Sequence, residues 1–315
     1  MSTKPSFHKS VEKAALLFKE KFGAHALLNE PLKTHVAYGV GGPADILVFP
    51  QTETDLLWVA ERSKELQLPI TVIGRGTNLL VRDEGIRGIV LSLEKAFKFI
   101  EVLPESPAGK TWVRVGGGTG KADLLNWAIE KGLTGLEFSS GVPGTIGGGI
   151  FMNAGTKYGC YGDILRELRL FDFKNGAETF SREQFHFGYR EQTAVKDSLV
   201  VWATFELQTK PAELIRTEVN RIIQERAEKQ PLDYPSCGST FKNPEGFSAG
   251  RLIEKSGLKG LTIGGAQISE KHANFILNKN NAKAQDILDL IQVVKERVKE
   301  QSGVTLECEV IILGG

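Results

Sequence analysis

The spacing of apolar residues changes period several times along the chain. Over residues 11–22 they recur at helical intervals among lysines and glutamates, which predicts a short amphipathic helix in an N-terminal appendage, residues 1–33. From about Thr34 the pattern shortens to β-branched runs punctuated by glycine. ADILVFP (44–50) reads as a strand, ETDLLWVAERSKELQ (53–67) as a helix stopped before Pro69, and ITVIG (70–74) as a buried strand. TWVRVGGG followed by GKADLLNWAIEKGL repeats the order of strand, glycine turn and helix. LRLFDF and SLVVWATFEL read as strands on either side of the turn KNGA, around FHFGYREQ.

A boundary is expected near Lys210-Pro211. Beyond it AELIRTEVNRIIQERAEK predicts a helix with Leu214, Ile215, Val219, Ile222 and Ile223 on one apolar face. AQDILDLIQVVKERVKEQSG predicts another, ended by Gly303. TLECEVIIL closes the chain as a strand. Alternation there puts Glu307, Glu309 and Ile311 on one face, with the two carboxylates roughly 7 Å apart. No internal repeat is evident. The pattern is that of an α+β chain, with a larger domain over residues 34–210 and a smaller one over 211–315.

Composition narrows the classes. Of 315 residues, 41% are hydrophobic and 24% charged, enough to cover a sizeable core. The net charge of +1, from 39 basic and 38 acidic side chains, argues against a nucleic-acid binder. The first 25 residues alternate charges and lack an apolar core, so no signal peptide is expected, and no later run approaches a membrane span. Cys160, Cys237 and Cys308 are odd in number and widely spaced. That suits neither a disulfide framework nor a metal site and favours a reducing cytoplasm.

The candidate chemistry lies in glycine. GGGTGKAD (116–123) suggests a phosphate loop, but Val115 stands where the motif needs glycine and Ala122 where it needs serine or threonine. GRGTNL (74–79) follows a strand, yet Leu79 replaces the third glycine of the dinucleotide fingerprint. Both motifs fail. What remains is three glycine-rich turns after strands, at Gly41-Gly42, at 74–78 and at 141–149. Each alone is as readily a tight turn as a binding loop. Together they suit an extended ligand, because bare backbone N–H groups receive anions and flat rings.

YGVGGPADI, VIGRGTNLLVRDEGIRGIV, GLEFSSGVPGTIGGGIFMNAG and FGYREQ resemble the flavin-binding domain of the UDP-N-acetylenolpyruvoylglucosamine reductases (the MurB family). KQPLDYPSCGSTFKNP, AGRLIEKSGLKGLTIGGAQISEKHANFILN and LECEV resemble the substrate domain of that family. The matches run in order from about residue 34 to 313. The resemblance implies an FAD-binding domain of the p-cresol methylhydroxylase/vanillyl-alcohol-oxidase type, in two subdomains (about 34–97 and 98–210), followed by a smaller α+β substrate domain. Noncovalent FAD is implied, since the histidines (8, 25, 35, 186 and 272) avoid the glycine loops. The cofactor contacts it implies are Gly41, Gly42, Gly74, Arg75, Gly76, Thr77, Asn78, Leu79, Gly141, Val142, Pro143, Gly144, Thr145, Gly147, Gly148 and Asn153. Missing side chains there would make room for FAD.

The implied reaction takes a hydride from NADPH through FAD to the enolpyruvyl double bond of UDP-N-acetylglucosamine enolpyruvate, giving UDP-N-acetylmuramate for peptidoglycan. It needs a cation for the carboxylate, a further polar group and an acid. By resemblance these are Arg190, Glu309 and Ser239, with Tyr189, Lys229, Asn243 and His272 as substrate contacts. From the residues alone, Arg190 reads better as a surface ion pair and Ser239 as a turn serine, while His272 reads equally as a satisfied core histidine. Cys237 rivals Ser239 chemically but reads better as a buried structural thiol.

The chain departs from the family where Cys308 replaces a proline, Ile311 an arginine and Gly149 a common alanine, and no long insertion follows MNAG. It therefore resembles the shorter subgroup, which lacks the tyrosine-bearing insertion. The competing readings are another flavin oxidase or dehydrogenase of the same lineage and a sugar-nucleotide-binding module without turnover. A bacterial cytoplasmic enzyme without metal, nucleic-acid partner, membrane insertion or obligate protein partner is expected.

Overall fold

The computed structural model describes residues 7–193, 195 and 198–315, so the first six residues of the N-terminal stretch lie outside it. Its α-helices, in chain order, are α1 (Phe7–Phe22), α2 (Glu53–Leu66), α3 (Lys121–Glu130), α4 (Ile146–Phe151), α5 (Tyr161–Ile164), α6 (Ala212–Lys229), α7 (Ala249–Lys255) and α8 (Ala284–Ser302). Local chemistry sets their ends. Thr52 and Asp55 form a capping box at the start of α2, and Gln67 ends it at φ 55°. Gly303 closes α8 in the same left-handed conformation, at φ 71°.

The chain divides into two compact units that interleave in sequence. One comprises the chain up to Leu28, Ile46–Gly74 and Gly88–Glu225; the other comprises Asn29–Asp45, Arg75–Arg87 and Arg226–Gly315. The sequence pattern put one boundary near Lys210-Pro211, whereas by compactness the chain passes between units at 28/29, 45/46, 74/75, 87/88 and 225/226. The short glycine-punctuated segments 29–45 and 75–87 pack with the C-terminal hundred residues, which no shift in composition announces.

The first unit holds an antiparallel sheet in the order Gly176–Ser181, Leu165–Asp172, Ser198–Thr209, Lys110–Gly116, Ile100–Val102, with Leu133–Thr134 also paired to Ser198–Thr209. The KNGA turn joins Leu165–Asp172 to Gly176–Ser181, with Asp172 opposite Gly176. SLVVWATFEL lies instead along the other edge of Leu165–Asp172. The strand missed from sequence, GAETFS, is an edge strand with no fully buried position, so it carries no apolar run to read. Val113, Val115, Leu124, Leu125, Ala128, Ile129, Phe138, Tyr161 and Phe205 form one core under this sheet.

A second core joins α1 to α2 through Ala14, Phe18, Phe22, Leu56 and Val59. Phe18 meets Trp58 edge-on at 5.0 Å between ring centroids. A fully buried phenylalanine contributes on the order of 2–3 kcal/mol, so α1 is built into this unit rather than appended to it. Ile46, Val48, Ile89 and Leu91 complete the cluster from a four-stranded sheet ordered Ala26–Pro31, Pro43–Val48, Ile86–Ser92, Ile70–Ile73. On α6 the buried stripe is narrower than expected. Ile215, Val219 and Ile222 are buried, but Leu214 and Ile223 are exposed.

The second unit packs α7 and α8 with the sheet Thr262–Ile263, Ala266–Ile268, Ile276–Asn278, through residues such as Ile253, Ala266, Ile268, Ile287 and Leu290. Its closing strand covers only Ile311–Leu313, parallel to Leu79–Val81. Across Glu307 and Glu309 the expected strand is reduced to one antiparallel bridge, Cys308 opposite Phe241. The amides of Glu309 and Val310 both turn to the Thr240 carbonyl, at 2.8 and 3.4 Å, and break the ladder. Glu307 is left exposed beside Lys242 (3.7 Å), while Glu309 is half-buried. Among the described residues no helix is long and apolar enough to cross a membrane.

Candidate functional site

In the first unit, three residues singled out from sequence converge. Among the described residues, a Cβ on Gly74 would have only the Thr145 hydroxyl near it, at 3.0 Å, and one on Gly148 only the same hydroxyl, at 3.4 Å. Thr145 caps α4, its Oγ1 accepting from the Gly148 amide at 3.3 Å. The loop before it is fixed by its own chain. Gly141 and Gly144 adopt φ 67° and 119°, the Val142 amide donates to the Ser139 carbonyl at 2.9 Å, and the Gly144 carbonyl accepts from the Lys121 amide at 3.0 Å. Pro143, between them, is exposed. Gly147 differs from Gly74 and Gly148: its Cβ would sit 3.1 Å from the Gly117 carbonyl, so its missing side chain serves the chain itself.

Asn153 is buried, and its side-chain amide is engaged at both ends. Nδ2 donates to the Gly188 carbonyl at 2.7 Å, and Oδ1 accepts from the Gly162 amide at 3.0 Å. It therefore anchors the short hairpin in which Gly188 pairs with Glu191 and Tyr189 and Arg190 form the turn. Arg190 takes φ 55°, a conformation that costs an ordinary side chain about 1 kcal/mol. Glycine or asparagine would sit there more easily, so an arginine held in this strain is a mark of use for its side chain. Its guanidinium lies 5.1 Å from the centroid of the half-exposed Tyr189 ring.

In the second unit the glycines serve a different purpose. A Cβ on Gly42 would run into the Asp83 carbonyl, one on Gly76 into the His35 carbonyl, and one on Gly41 would lie 2.8 Å from the Val81 Cβ. These positions let backbone approach backbone. The loop after Gly76 is tied to the C-terminal segment: Asn78 Nδ2 donates to the Glu309 carbonyl at 2.9 Å, and the Ile311 amide to the Asn78 carbonyl at 3.0 Å. Arg75 is exposed in this loop, and Thr77 and Leu79 are half-buried.

Ser239 follows Gly238, whose φ of 75° requires glycine or something close to it. It precedes Thr240, whose carbonyl receives the Glu309 amide at 2.8 Å. Glu309 is thus fastened by its amide to the residue that follows Ser239. Cys237 is buried, and its thiol donates to the Leu79 carbonyl at 3.2 Å. Burial pushes that thiol up to about 12, which makes it inert near neutrality. Asn243 Oδ1 accepts from the Ala249 amide at 3.0 Å at the start of α7. His272 Nδ1 accepts from the Asn274 amide at 3.3 Å, and its ring meets Phe275 edge-on. Burial lowers its affinity for a proton, so the ring is held toward the neutral form. Lys229 is exposed at the end of α6; Arg226, one turn earlier, is half-buried.

Sequence reading passed over Lys121, which is 5% exposed at the first position of α3. The signal was present: 121, 124, 125, 128 and 129 are the helical spacing of one face, and the other four residues are Leu, Leu, Ala and Ile. Among the described residues no group of three or more histidine, cysteine, aspartate or glutamate side chains is placed to hold a metal ion.

Residues 230–313 match the family description "UDP-N-acetylenolpyruvoylglucosamine reductase, C-terminal domain", and residues 44–179 match "FAD binding domain". The UDP-N-acetylenolpyruvoylglucosamine reductase of Clostridioides difficile is 43% identical over 289 residues, covering 91% of this chain and 93% of that protein. The protein of the same name from Syntrophomonas wolfei is 39% identical, covering 91% and 94%. The crystal structure of UDP-N-acetylenolpyruvylglucosamine reductase from Thermus caldophilus superposes with a TM-score of 0.77 at 36% identity, over 92% of this chain and 98% of that one.

Proposed function

The chain belongs to the UDP-N-acetylenolpyruvoylglucosamine reductase family, and on that premise we propose that it reduces the enolpyruvyl group of UDP-N-acetylglucosamine enolpyruvate to give UDP-N-acetylmuramate, with NADPH as hydride source. It is an FAD-dependent oxidoreductase of peptidoglycan precursor synthesis, working in the bacterial cytoplasm. What supports the assignment of roles is the position of Arg190, Ser239 and Glu309 within the family motifs, together with the backbone bond that fastens Glu309 to Thr240, the residue after Ser239.

The first unit fits the cofactor at Gly74, Thr145 and Gly148, where two bare Cα atoms flank one hydroxyl and a methyl group would fill the cradle. The main-chain loops at 41–42, 75–79 and 141–147 supply further contacts, and Asn153 holds the hairpin that carries Arg190. When bound, FAD supplies the transfer of hydride between the two substrates. The residues of the chain do the rest. Arg190 holds the substrate carboxylate through its planar fork. Hydride arrival at the terminal carbon of the double bond leaves the electron pair on the carboxylate-bearing carbon. Ser239 Oγ gives its proton to that carbon, and Glu309 stabilises the serine as donor and helps restore its proton. Lys229 and Asn243 take the diphosphate and sugar, and Tyr189 and the free ring nitrogen of His272 complete the contacts.

Stopped-flow absorbance of the flavin band tests this. Ser239→Ala should leave reduction by NADPH near the wild-type rate and slow reoxidation by the enolpyruvyl substrate about 10²- to 10⁴-fold. Equal loss in both half-reactions removes Ser239 from the acid role. Release of the yellow colour on acid precipitation is expected for noncovalent FAD; colour retained in the pellet would point to a tethered flavin.

A further inference from the structure

Ser239 stands between an open turn and a buried pair of residues. Among the described residues, nothing lies within 4 Å of where a Cβ on Gly238 would sit, so the chain before the serine does not fix it. After it come Thr240 and Phe241, each 1% exposed. Phe241 meets the C-terminal segment at one antiparallel bridge, opposite Cys308, and not along a ladder. The place of Ser239 is therefore set from its C-terminal side, by whatever holds the main chain of this pair.

Asn274 holds it. The Thr240 amide donates to the Asn274 carbonyl at 2.8 Å. The Phe241 amide donates to Asn274 Oδ1 at 3.0 Å, and Asn274 Nδ2 donates to the Phe241 carbonyl at 2.8 Å. Three of the four main-chain polar groups of the pair thus go to Asn274; the fourth, the Thr240 carbonyl, takes the Glu309 and Val310 amides. Asn274 is itself 3% exposed, so little water competes for these bonds. A side chain that closes on both ends of one residue must offer an acceptor and a donor together, which an aliphatic group or a carboxylate of the same size does not. The loop that presents Asn274 is closed on itself: the Ser269 hydroxyl accepts from the Lys271 and His272 amides at 3.1 and 3.2 Å, and the Phe275 amide donates to the His272 carbonyl at 3.0 Å.

We propose that Asn274 is the positioning residue of the proton donor: by holding Thr240 and Phe241 it fixes the point from which Ser239 presents its hydroxyl and to which Glu309 is fastened. The inference rests on the acid role proposed above for Ser239. Proton delivery to carbon depends steeply on the approach of the O–H group, and a displacement of about 1 Å costs on the order of 10² in rate. Asn274 acts here through the main chain. Its own amide also donates to His272 Nδ1, a bond that side-chain substitution at 274 leaves in place, so the histidine contact with substrate is retained.

Stopped-flow absorbance of the FAD-loaded protein tests the clamp. Asn274→Ala removes both side-chain bonds; Asn274→Asp keeps an acceptor for the Phe241 amide and loses the donor to its carbonyl. Both variants should be reduced by NADPH near the wild-type rate and should bind UDP-N-acetylglucosamine enolpyruvate with near wild-type affinity in calorimetry. Reoxidation by that substrate should slow about tenfold to a hundredfold. Its solvent deuterium isotope effect should rise above the wild-type value, because proton delivery becomes the slow step. Lower thermal stability with wild-type reoxidation and isotope effect overturns the inference, as does an equal loss in both half-reactions. Amide hydrogen exchange supplies a check that needs no variant: in the wild type the Phe241 amide should be protected, and free exchange there overturns the clamp. Should neither variant accumulate as folded protein, that measurement decides. Equal loss of both half-reactions in Ser239→Ala, where Asn274 is intact, overturns the acid role itself and so is told apart from failure of the clamp.

Discussion

Replacing Lys121 with methionine isolates the electrostatics of the buried amine from any ligand. In the folded chain the amine is held at about 8, against about 10.4 in an unfolded one. The folded protein therefore gives up this proton first as pH rises. Between the two values the unfolded chain binds more protons, so stability climbs with pH across that window. Below about 8 both states are charged and the folded state bears the full penalty; above about 10.4 both are neutral and the penalty is gone. A separation of about 2.4 units, at 1.36 kcal/mol each, amounts to roughly 3 kcal/mol. With 5% exposure, solvent screens little of it. Methionine keeps an unbranched stem and drops the charge. The variant should be more stable than the wild type by about 3 kcal/mol near pH 7, which is roughly 6–12 °C in Tm for a unit of this size. That lead should shrink toward zero near pH 10 as the wild type sheds its proton. Melting both proteins by circular dichroism across the range and subtracting one from the other cancels every other titrating group. A difference that does not vary with pH, or a variant less stable near neutrality, refutes an amine held low by the fold.

Arg190→Gly should relieve the φ of 55° by about 1 kcal/mol, so Tm should hold or rise while kcat/KM for the enolpyruvyl substrate falls about 10²-fold or more; wild-type turnover would remove Arg190 from the site. Cys237, with its thiol pushed up to about 12 and bonded to Leu79, should resist Ellman's reagent until the protein unfolds, and rapid native labelling mapped to that residue would contradict the burial. The two kinds of glycine should part under alanine substitution. Gly148→Ala meets only the Thr145 hydroxyl at 3.4 Å and should fold normally with FAD affinity reduced at least tenfold, the equivalent of about 1.4 kcal/mol. Gly42→Ala drives a methyl group into the Asp83 carbonyl and should fail to accumulate as soluble protein; reversal of the two outcomes would mean that the loops serve opposite ends.

Long elements with their own punctuation were legible from sequence. Thr52 and Gly303 mark the start of α2 and the end of α8, and the apolar runs between such signals set the helices and the central strands. What escaped lacks a local signal. GAETFS is a solvent-facing edge strand with no apolar period. The C-terminal strand expected across Glu307 and Glu309 shrinks to a single bridge at Cys308, because one distant carbonyl, that of Thr240, receives the amides of both Glu309 and Val310. The interleaving of the two units depends on segments 29–45 and 75–87, whose partners lie about two hundred residues away in sequence. The proposed site residues Ser239 and Arg190 were legible only as parts of family motifs, since nothing in an isolated serine or arginine tells a catalytic group from a turn or a surface charge. Lys121 was legible by period alone and was set aside because its neighbours failed as a phosphate loop.

The same letter in the sequence carries two opposed uses here, and the distinction bears on how the site holds its shape. At Gly42 and Gly76 the absent side chain is replaced at once by the chain's own carbonyls, so these loops are rigid where they turn. At Gly74 and Gly148 the absent side chain leaves space beside a single hydroxyl. A binding loop needs both, because space is useful only if the walls cannot close into it. Gly147, packed on the Gly117 carbonyl directly beside Gly148, supplies such a wall, as Asn153 does for the Arg190 turn through Gly188. Gly149 extends the same logic by one residue: its missing methyl group admits not a cofactor or a carbonyl but the stem of Lys121. A run of glycines that reads as one feature in sequence thus divides, residue by residue, into wall, cradle and passage.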